Sequence, residues 1–398
     1  MDNNHDPIVV ISYTRTPMGK FLGELSTLAA HELGSVVIKD LITKSNLNLN
    51  NTEIDEVIMG CVLQAGQGQA PARQAALNAG LNYHTGCTTI NKMCGSGMKA
   101  VMQVCDSLKA GSSDIAIAGG MESMSCAPYL LDKARSGLRL GHVELKDHMF
   151  IDGLEDAYDK GKAMGCFAET TAENYNFSRE EQDEFAINSV KKSQKAQKEN
   201  KYKNEITPIK IKIKNKEIII DSDEGPKNAL IDKIPNLRPA FKKNGTVTAA
   251  NSSSISDGAA GLLLTRQSVA DKLNLKPIAK ILGYAQYADK PELFTIAPGF
   301  AIKKLLHKLD LKISDIDLFE INEAFAVVTM AAIKDLNLPY DKVNINGGAC
   351  VLGHPIGASG ARIMVTLLNA LKENNLKTGI AALCIGGGEA TAMALEIC

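Results

Sequence analysis

The 398-residue chain has no long uninterrupted run of apolar residues. A helix needs about 20 such residues to cross the hydrocarbon core of a bilayer, so the sequence predicts no membrane span. The polar, acidic start at residues 1–6 lacks the basic and apolar regions of a secretory signal, and it is unlike an Arg-rich transit peptide. Residues 395–398 match neither a Ser-Lys-Leu address nor a prenylation site. We therefore expect a cytoplasmic protein.

The chain also lacks an excess of charge of either sign. Its 44 Lys and Arg residues oppose 45 Asp and Glu residues, which leaves a formal net charge of -1. Global charge therefore gives no reason to expect binding to nucleic acid or to a membrane surface. An anionic ligand would have to be recognised by a local patch.

Nine cysteines are present, but none of them form a Cys-x-x-Cys pair. The odd number and the absence of a secretory signal argue against a disulfide framework, and the missing pairs argue against a structural zinc site. Most of these cysteines should be small buried hydrophobic residues. One or two of them could be reactive.

The sequence does contain a weak internal repeat. IDEVIMG, GSGMKA and DIAIAGG, which start at residues 54, 95 and 114, have counterparts IDLFEIN, ASGARI and ALCIGGG at 316, 358 and 382. Three weak matches in the same order and at nearly one offset indicate two related halves. The length of the chain likewise predicts two or three packed units.

Each half alternates short apolar runs with longer helical patterns. Runs at 8–12, 56–62 and 114–120 predict strands, and residues 97–109 predict a helix. This alternation is typical of α/β layers with mostly parallel strands. We assign the first half to residues 1–120 with 251–275, and the second half to residues 276–398.

A polar, charge-rich stretch at 121–250 separates the halves. Ser178 and Glu181 predict a capping box before a helix that runs to about residue 199. IKIKIKNKEIIID at 209–221 alternates apolar and charged residues, as expected for a hairpin that turns near Asn215. We interpret the stretch as an inserted loop domain that covers a site on the first half.

Two glycine-rich stretches place a thiol and an imidazole. NKMCGSGMKA at 91–100 puts Cys94 at a predicted helix start, where backbone amides lower a thiol pKa from about 8.5, although a buried structural cysteine fits equally well. NINGGACVLGHPIGASGAR at 344–362 presents His354 in a turn, as a base able to accept the proton of Cys94. At the repeat offset His354 falls on Asn91, so the two loops correspond.

Two further stretches follow apolar strands. LCIGGGEA at 383–390 places Cys384 before three glycines, where it could act as a second acid/base while glycine amides bind an oxyanion. Alone, a small buried strand cysteine would be the better interpretation. FEINEAFA at 319–326 contains Asn322, which is either a helix cap or a group that holds a water or polarises a carbonyl.

Together with IVVISYTRTPMGKF near the start and GGMESMS at 119–125, these stretches resemble the thiolase family over the whole chain, and within it the acetyl-CoA acetyltransferases. The resemblance implies a duplicated α/β fold, with two βαβαβ-type halves in a five-layer αβαβα arrangement. It implies reversible Claisen condensation of two acetyl-CoA molecules to acetoacetyl-CoA and CoA. Acyl-CoA and coenzyme A are then substrates, no permanently bound cofactor or metal is expected, and the protein should be a homodimer or homotetramer.

The resemblance also assigns catalytic roles. Cys94 is the nucleophile that takes the acyl group as a thioester. His354 lowers the pKa of Cys94 and contributes to one oxyanion hole, which a water held by Asn322 completes. Cys384 exchanges a proton with the second substrate. The backbone amides of Cys94 and Gly386 form the other oxyanion hole.

The resemblance further implies contacts with coenzyme A. In GTVTAANSSSISDGAA at 245–260, Ser253 falls on a position that contacts pantetheine. Met164 falls on a position that shapes the acyl pocket, and Lys227 falls where an arginine often lies near the adenine. Ala163 stands where thiolases often carry a histidine, and TIAPGFA at 295–301 departs from the usual Met-Gly-x-Gly-Pro pattern.

Three other functions compete with this interpretation. One is a degradative 3-ketoacyl-CoA thiolase that acts on longer chains, and we keep it as the alternative. A ketoacyl synthase that uses a carrier protein is disfavoured by Cys384 and the Asn-Glu-Ala-Phe stretch. A catalytically inactive lipid-binding or scaffolding relative is disfavoured because all four reactive groups are present.

Overall fold

A computed structural model of the protein describes residues 6–49, 52–213 and 216–398. Its strands are β1 Ile8–Arg15, β2 Gly19–Lys20, β3 Glu56–Gly60, β4 Gly86–Ile90, β5 Ile115–Ser123, β6 Tyr129–Leu131, β7 Leu145–Asp147, β8 Ile209–Ile213, β9 Lys216–Ile220, β10 Ser256–Arg266, β11 Ala279–Ala288, β12 Leu318–Ile321, β13 Thr378–Ile385 and β14 Glu389–Ile397. Its α-helices are α1 Ala30–Ser45, α2 Pro71–Asn78, α3 Ser96–Ala110, α4 Gly165–Tyr175, α5 Arg179–Lys198, α6 Glu224–Asn228, α7 Gln267–Lys272, α8 Ala297–Leu309, α9 Ala326–Leu336, α10 Ala349–Leu352 and α11 Ser359–Glu373. The strands predicted in the first half and the helix predicted after Cys94 are confirmed.

A continuous ten-stranded sheet, counted with the short β2 beside β10, forms the centre of the molecule, and we describe it as two mixed sheets. The first has the strand order β4-β3-β5-β10-β1, and the second has the order β11-β14-β13-β12. They join edge to edge through a short antiparallel contact of β1 with β11, at Val9 with Lys280 and Val10 with Ala279. Each half of the chain therefore supplies one sheet.

The expectation of mostly parallel strands is wrong. Strands β4, β3 and β5 run parallel, as do β12 and β13, but β10, β11 and β14 pair antiparallel to their neighbours. The physical reason is the connectivity. The chain enters β10 from the inserted segment, with no crossover helix before it, and a three-residue glycine turn reverses the chain between β13 and β14.

Two helices form the layer between the sheets. Apolar side chains of α3, including Val101, and of α11, including Leu368, pack in one core with residues from both sheets, such as Leu262 and Leu383. Helices α1 and α2 cover the outer face of the first sheet, and α8 and α9 cover that of the second. The resulting order of layers is α/β/α/β/α, as the resemblance implied.

The central helices approach each other closely because small residues lie at their crossing. A Cβ atom added at Gly97 would lie 2.8 Å from the backbone nitrogen of Ala361, and one at Gly360 would lie 2.4 Å from that of Met98. The two helices begin at Ser96 and Ser359, the offset that the internal repeat indicates. Their N-terminal loops, which carry Cys94 and His354, are therefore brought together.

The stretch between the halves forms short elements of its own. Ser178 Oγ accepts a hydrogen bond from the amide of Glu181 (3.1 Å), and the Glu181 carboxylate accepts one from the amide of Ser178 (2.7 Å), so the predicted capping box is confirmed. Strands β8 and β9 pair antiparallel as the predicted hairpin, although the predicted turn at Asn215 lies outside the described residues. The domain boundaries at 120, 250 and 275 stay a prediction. Within the described ranges, no helix is long and apolar enough to cross a membrane.

A buried ion cluster fastens this inserted stretch to the first half. Arg15, at the end of β1, donates from Nε to Glu205 (2.6 Å) and from both Nη atoms to the carboxylate of Asp223 (2.7 and 2.8 Å). None of the three side chains has any solvent exposure. Removing one member of such a cluster leaves uncompensated buried charge.

We predict that Arg15→Met lowers the free energy of unfolding by about 3–5 kcal/mol, because Glu205 and Asp223 then lose their cation in a buried site. Urea titration followed by circular dichroism measures the change. The matched control is Lys195→Met, which removes an exposed partner of Glu199 in the inserted stretch and should cost less than about 1 kcal/mol. Equal effects of the two substitutions would contradict a structural role for the Arg15 cluster.

Candidate active site

A cavity of about 550 Å³ lies where the loops of the two halves meet the inserted stretch. Six of the predicted site residues line it: Cys94, His354, Cys384, Gly386, Ser253 and Met164. Part of its wall is the π-helical turn Phe150–Leu154 of the inserted stretch. The structure thus brings together thiols, an imidazole and a glycine turn that are distant in sequence.

Two predicted residues do not line this cavity. Asn322 is completely buried, and it follows β12 directly. Lys227 lies in α6, and its Nζ is 3.7 Å from the carboxylate of Glu24. Any contact of Lys227 with a ligand would therefore have to be made outside the cavity.

The loop at residues 91–95, which we call the nucleophile loop after the role predicted for Cys94, has a tight backbone conformation. It follows β4 and precedes α3, and Met93 adopts a left-handed φ of 47°, which is unfavourable for a residue with a side chain. Side-chain bonds hold the turn. Asn91 Oδ1 accepts from the amide of Met93 (2.9 Å), and the Ser96 hydroxyl donates to the carbonyl of Met93 (2.6 Å). The next residue, Cys94, is thereby presented to the cavity at the start of a helix.

The expectation of a lowered pKa for Cys94 is wrong for the free protein. Burial of the thiol raises the pKa of Cys94 to about 11. Hydrogen bonds from the backbone amides of Gly386 and of Cys94 itself act in the opposite direction, but they are the smaller effect. The helix N-terminus therefore does not outweigh desolvation, and Cys94 rests as a neutral thiol at neutral pH.

The imidazole of His354 is also neutral. Burial, reinforced by the positive charge of Arg362, lowers the pKa of His354 to about 3. Its Nδ1 lies 2.5 Å from the hydroxyl of Ser359, and this hydroxyl lies 2.9 Å from the carbonyl of Pro355. Its Nε2 is buried and has no hydrogen-bond partner among the described residues.

The single hydrogen of the Ser359 hydroxyl decides which ring nitrogen of His354 is protonated. If this hydrogen points to the Pro355 carbonyl, Nδ1 carries the proton and donates to Ser359, which leaves Nε2 as an acceptor. If the hydrogen points to Nδ1, Nε2 carries the proton and is a donor. The geometry accommodates both tautomers.

The second thiol, Cys384, lies near the end of β13. The chain turns through Gly386–Gly388, where Gly387 and Gly388 have φ values of 94° and 89° that favour glycine. Burial raises the pKa of Cys384, and the charge of a Cys94 thiolate would raise it further. Cys384 therefore also rests as a neutral thiol, close enough to Cys94 for the two to interact.

Asn322 is held in one orientation by a buried arginine. Arg362 donates from Nη2 to Asn322 Oδ1 (3.2 Å) and from Nη1 to the carboxylate of Glu320 (3.1 Å). A guanidinium group only donates, so Asn322 must direct Oδ1 towards Arg362. Its Nδ2 is then a buried donor with no partner in the described part of the chain. Helix α9 begins with Phe325 as its N-cap, so the helix-cap interpretation of Asn322 is wrong.

Comparison with known proteins assigns the family. Residues 8–268 match the thiolase N-terminal domain, and residues 275–397 match the thiolase C-terminal domain. The chain belongs to the thiolase family. It is an acyltransferase with the thiolase fold, as the sequence predicted.

Known proteins align with nearly the whole of this thiolase. A probable acetyl-CoA acetyltransferase of Dictyostelium discoideum is 46% identical over 99% of this chain and 94% of its own. The mitochondrial acetyl-CoA acetyltransferase of Bos taurus is 47% identical over 98% of this chain and 91% of its own. A crystal structure of the Acat5 thiolase of Ascaris suum in complex with coenzyme A has a TM-score of 0.93 and 42% identity, and it covers 98% of this chain and all of its own.

Three polar residues that support the site of this thiolase are absent from the sequence-based assignment. Ser359 and Arg362 contact His354 and Asn322, as described above. Glu122 accepts hydrogen bonds from the amides of Val62 (3.0 Å), Leu63 (3.1 Å) and Gly357 (2.8 Å), and so anchors the loop of His354. The sequence did contain a signal for these three residues. All of them lie within the quoted stretches, where they are polar residues in otherwise apolar or glycine-rich surroundings.

We predict that alkylation of Cys94 by iodoacetamide in the free protein keeps accelerating above pH 9. The thiolate is the reactive form, and a raised pKa leaves little of it at neutral pH. A neutral His354 gives no break near pH 6.5, where an ordinary histidine would titrate. Mass spectrometry of the digested protein resolves Cys94 from the exposed thiol of Cys126, which monitors the reactivity of the reagent. A plateau for Cys94 below pH 8 would instead indicate a resting thiolate–imidazolium pair.

Proposed function

We propose that the protein is an acetyl-CoA C-acetyltransferase that condenses two acetyl-CoA molecules to acetoacetyl-CoA and CoA, and that also catalyses the reverse thiolysis. The observation that carries the proposal is the shared cavity, which is lined by Cys94 and Cys384, from opposite halves, and by His354, whose Nε2 has no hydrogen-bond partner among the described residues. One thiol cannot be both the acyl carrier and the base that deprotonates the second substrate. Two thiols at one cavity meet both needs.

In the first half-reaction, Cys94 Sγ attacks the thioester carbonyl of acetyl-CoA while its proton moves to Nε2 of His354. Ser359 supports this step when it accepts a hydrogen bond from Nδ1. The amides of Cys94 and Gly386, which already point to the sulfur, are placed to stabilise the oxyanion. The C–S bond to CoA then breaks, and Cys384 gives its proton to the departing sulfur.

This step leaves an acetylated Cys94, a protonated His354 and a Cys384 thiolate. The net charge in the cavity is unchanged, because a cation and an anion have formed together. Charge separation is costly in a desolvated site, but both ions line the same cavity, where they attract each other. The resting pKa shifts of His354 and Cys384 both favour the neutral forms, so they favour return of these protons at the end of the cycle.

In the second half-reaction, the Cys384 thiolate removes a proton from the methyl group of the second acetyl-CoA. The enolate oxygen accepts a hydrogen bond from Nε2 of His354, and Asn322 Nδ2 contributes through a water molecule. The enolate carbon attacks the acyl carbon on Cys94, and the C–S bond to Cys94 breaks. Cys94 then recovers its proton from His354, and Cys384 holds the proton taken from the substrate.

Coenzyme A is the substrate in this scheme and not a resident cofactor. Ser253 and Met164 line the cavity, which supports their predicted contacts with pantetheine and the acyl group. The contact of Lys227 with the adenine stays a prediction. Support for CoA binding also comes from the Ascaris suum relative, whose structure contains coenzyme A.

A cytoplasmic location and a dimeric or tetrameric assembly belong to the same proposal. The segment around β6 and β7 carries exposed apolar side chains, including a fully exposed Leu140. Contiguous exposed apolar groups mark interaction surfaces. This feature supports self-association and does not distinguish the two assemblies.

Substitutions of Cys94 and of Cys384 are predicted to impair different steps of the reaction. We predict that Cys94→Ser abolishes acyl-enzyme formation, because a serine hydroxyl is a far poorer nucleophile at neutral pH. Cys384→Ala should keep measurable acylation of Cys94 but lose at least about 100-fold in condensation, the scale of a positioned acid–base group. Intact mass after incubation with acetyl-CoA measures acylation, and a coupled assay measures condensation. Cys126→Ser is the control and should behave as the unsubstituted protein.

A thiolysis profile against acyl chain length tests the substrate. We predict that acetoacetyl-CoA has a kcat/KM at least about tenfold above that of a 3-ketoacyl-CoA with ten or more carbons, since aromatic side chains such as Phe294 and Phe325 help to enclose the acyl end of the cavity. The alternative is a longer-chain thiolase, which the flexible side chains of Met93 and Met164 in the lining of the same cavity would permit. A preference for the longer substrate would establish that alternative.

A further inference from the structure

Two charged side chains beside the cavity have no part in the scheme above. Lys92 lies in the nucleophile loop, two residues before Cys94, and Glu389 is the first residue after the glycine turn that contains Gly386. Their ammonium and carboxylate groups form an ion pair across the two halves of the molecule. Neither residue lines the cavity, so neither is placed to touch a substrate held there.

The backbone of Lys92 is hydrogen-bonded within the loop that carries Cys94. Its amide donates to the Ser96 hydroxyl (2.8 Å), and its carbonyl accepts from the amide of Gly95 (3.0 Å). These bonds close the loop on both sides of Cys94. A change in the position of the Lys92 side chain should therefore also change the position of the sulfur and the amide of Cys94.

Glu389 is fixed to the glycine turn in the same way. It pairs with Ile385 across the β13–β14 hairpin and with Ala288 of β11. The carbonyl of Gly388 accepts from the amide of Asp289 (2.9 Å), which anchors the end of the turn. The position of Glu389 thus determines the position of the Gly386 amide.

The two loops also meet at an apolar contact. A Cβ atom added at Gly95 would lie 2.4 Å from Cδ1 of Ile385, so the nucleophile loop rests directly on the strand before the glycine turn. Ile385 and Glu389 flank the turn on its two sides. The Gly95–Ile385 contact and the Lys92–Glu389 pair therefore hold the turn at both ends, with the amides of Gly386 and Cys94 between them.

We infer that the Lys92–Glu389 ion pair is a clasp that sets the Gly386 amide at hydrogen-bonding distance from the Cys94 sulfur and from the oxyanion. Both are positioning residues, and the inference deepens the proposed function, on which its kinetic part rests. A partly exposed pair adds little to global stability. Its effect on catalysis is larger, because the amide it positions acts in a desolvated site where donor geometry determines the stabilisation of charge.

The test uses side chains that keep the shape but remove the charge: Lys92→Met, Glu389→Gln and the double variant. A charge-exchanged variant, Lys92→Glu with Glu389→Lys, tests rescue. The matched control is Lys377→Met and Glu396→Gln, a Lys–Glu pair at the opposite end of β13 and β14. Two readouts are measured for each protein: the rate of Cys94 alkylation at pH 8, which needs no substrate, and the rate of acyl-enzyme formation with acetyl-CoA.

We expect each single substitution to slow Cys94 alkylation about threefold, because loss of the Gly386 hydrogen bond raises the pKa of the thiol. Acylation should slow about 5- to 20-fold with KM for acetyl-CoA unchanged, since the lost interaction belongs to the transition state. The double variant should be no slower than the slower single variant, and the exchanged pair should recover part of both rates. The control pair should change neither rate.

Alkylation and acylation rates equal to those of the control pair would overturn the clasp. So would defects that multiply in the double variant, because independent defects show that the two residues do not act through each other. Failure of the proposed function is a separate result: the unsubstituted protein would form no acyl-enzyme, while the alkylation rates would still report on the clasp.

Discussion

Close contact between α3 and α11 is the constraint on which the site depends. The two helices form the layer between the sheets, and Gly97 and Gly360 allow their backbones to touch where a larger side chain would collide with backbone atoms. Helix α3 begins immediately after the loop that carries Cys94, and α11 begins immediately after the loop that carries His354. Bringing the helices into contact therefore brings Cys94 and His354 to one cavity, to which strand β13 of the second sheet adds Cys384.

Desolvation dominates the chemistry of the groups assembled there. It raises the pKa of both thiols and lowers that of His354, so these three groups are uncharged in the resting site. In the proposed mechanism, protons therefore move when a thioester arrives rather than in advance of it. The same desolvation strengthens every hydrogen-bond donor aimed at an oxyanion, which in the proposed mechanism is the role of the backbone amides and of a buried amide side chain.

The sequence was informative where a pattern is local and ambiguous where contacts are distant. The helix after Cys94, the capping box at Ser178 and the β8–β9 hairpin follow from neighbouring residues, and the repeat placed the loops of Cys94 and His354 in correspondence. The prediction of mostly parallel strands was wrong, because no local signal shows that β10 enters the sheet from an inserted stretch. The predicted shift in the pKa of Cys94 had the wrong direction. The helix start is visible in the sequence, whereas the residues that surround and desolvate the thiol are not. Arg362 was missed because its partners, Glu320 and Asn322, lie some 40 residues before it.

The shared start of the two central helices shows how one backbone shape serves two kinds of chemistry. Ser96 and Ser359 occupy equivalent first positions, and each hydroxyl is within hydrogen-bonding distance of a carbonyl of the preceding turn, Met93 in one half and Pro355 in the other. In the first half this contact holds a strained turn that displays a sulfur, and in the second it lies beside an imidazole. The same local backbone structure thus carries both the nucleophile and the base that we propose. The corresponding loops of the two halves differ in the side chains that they carry at the start of equivalent helices.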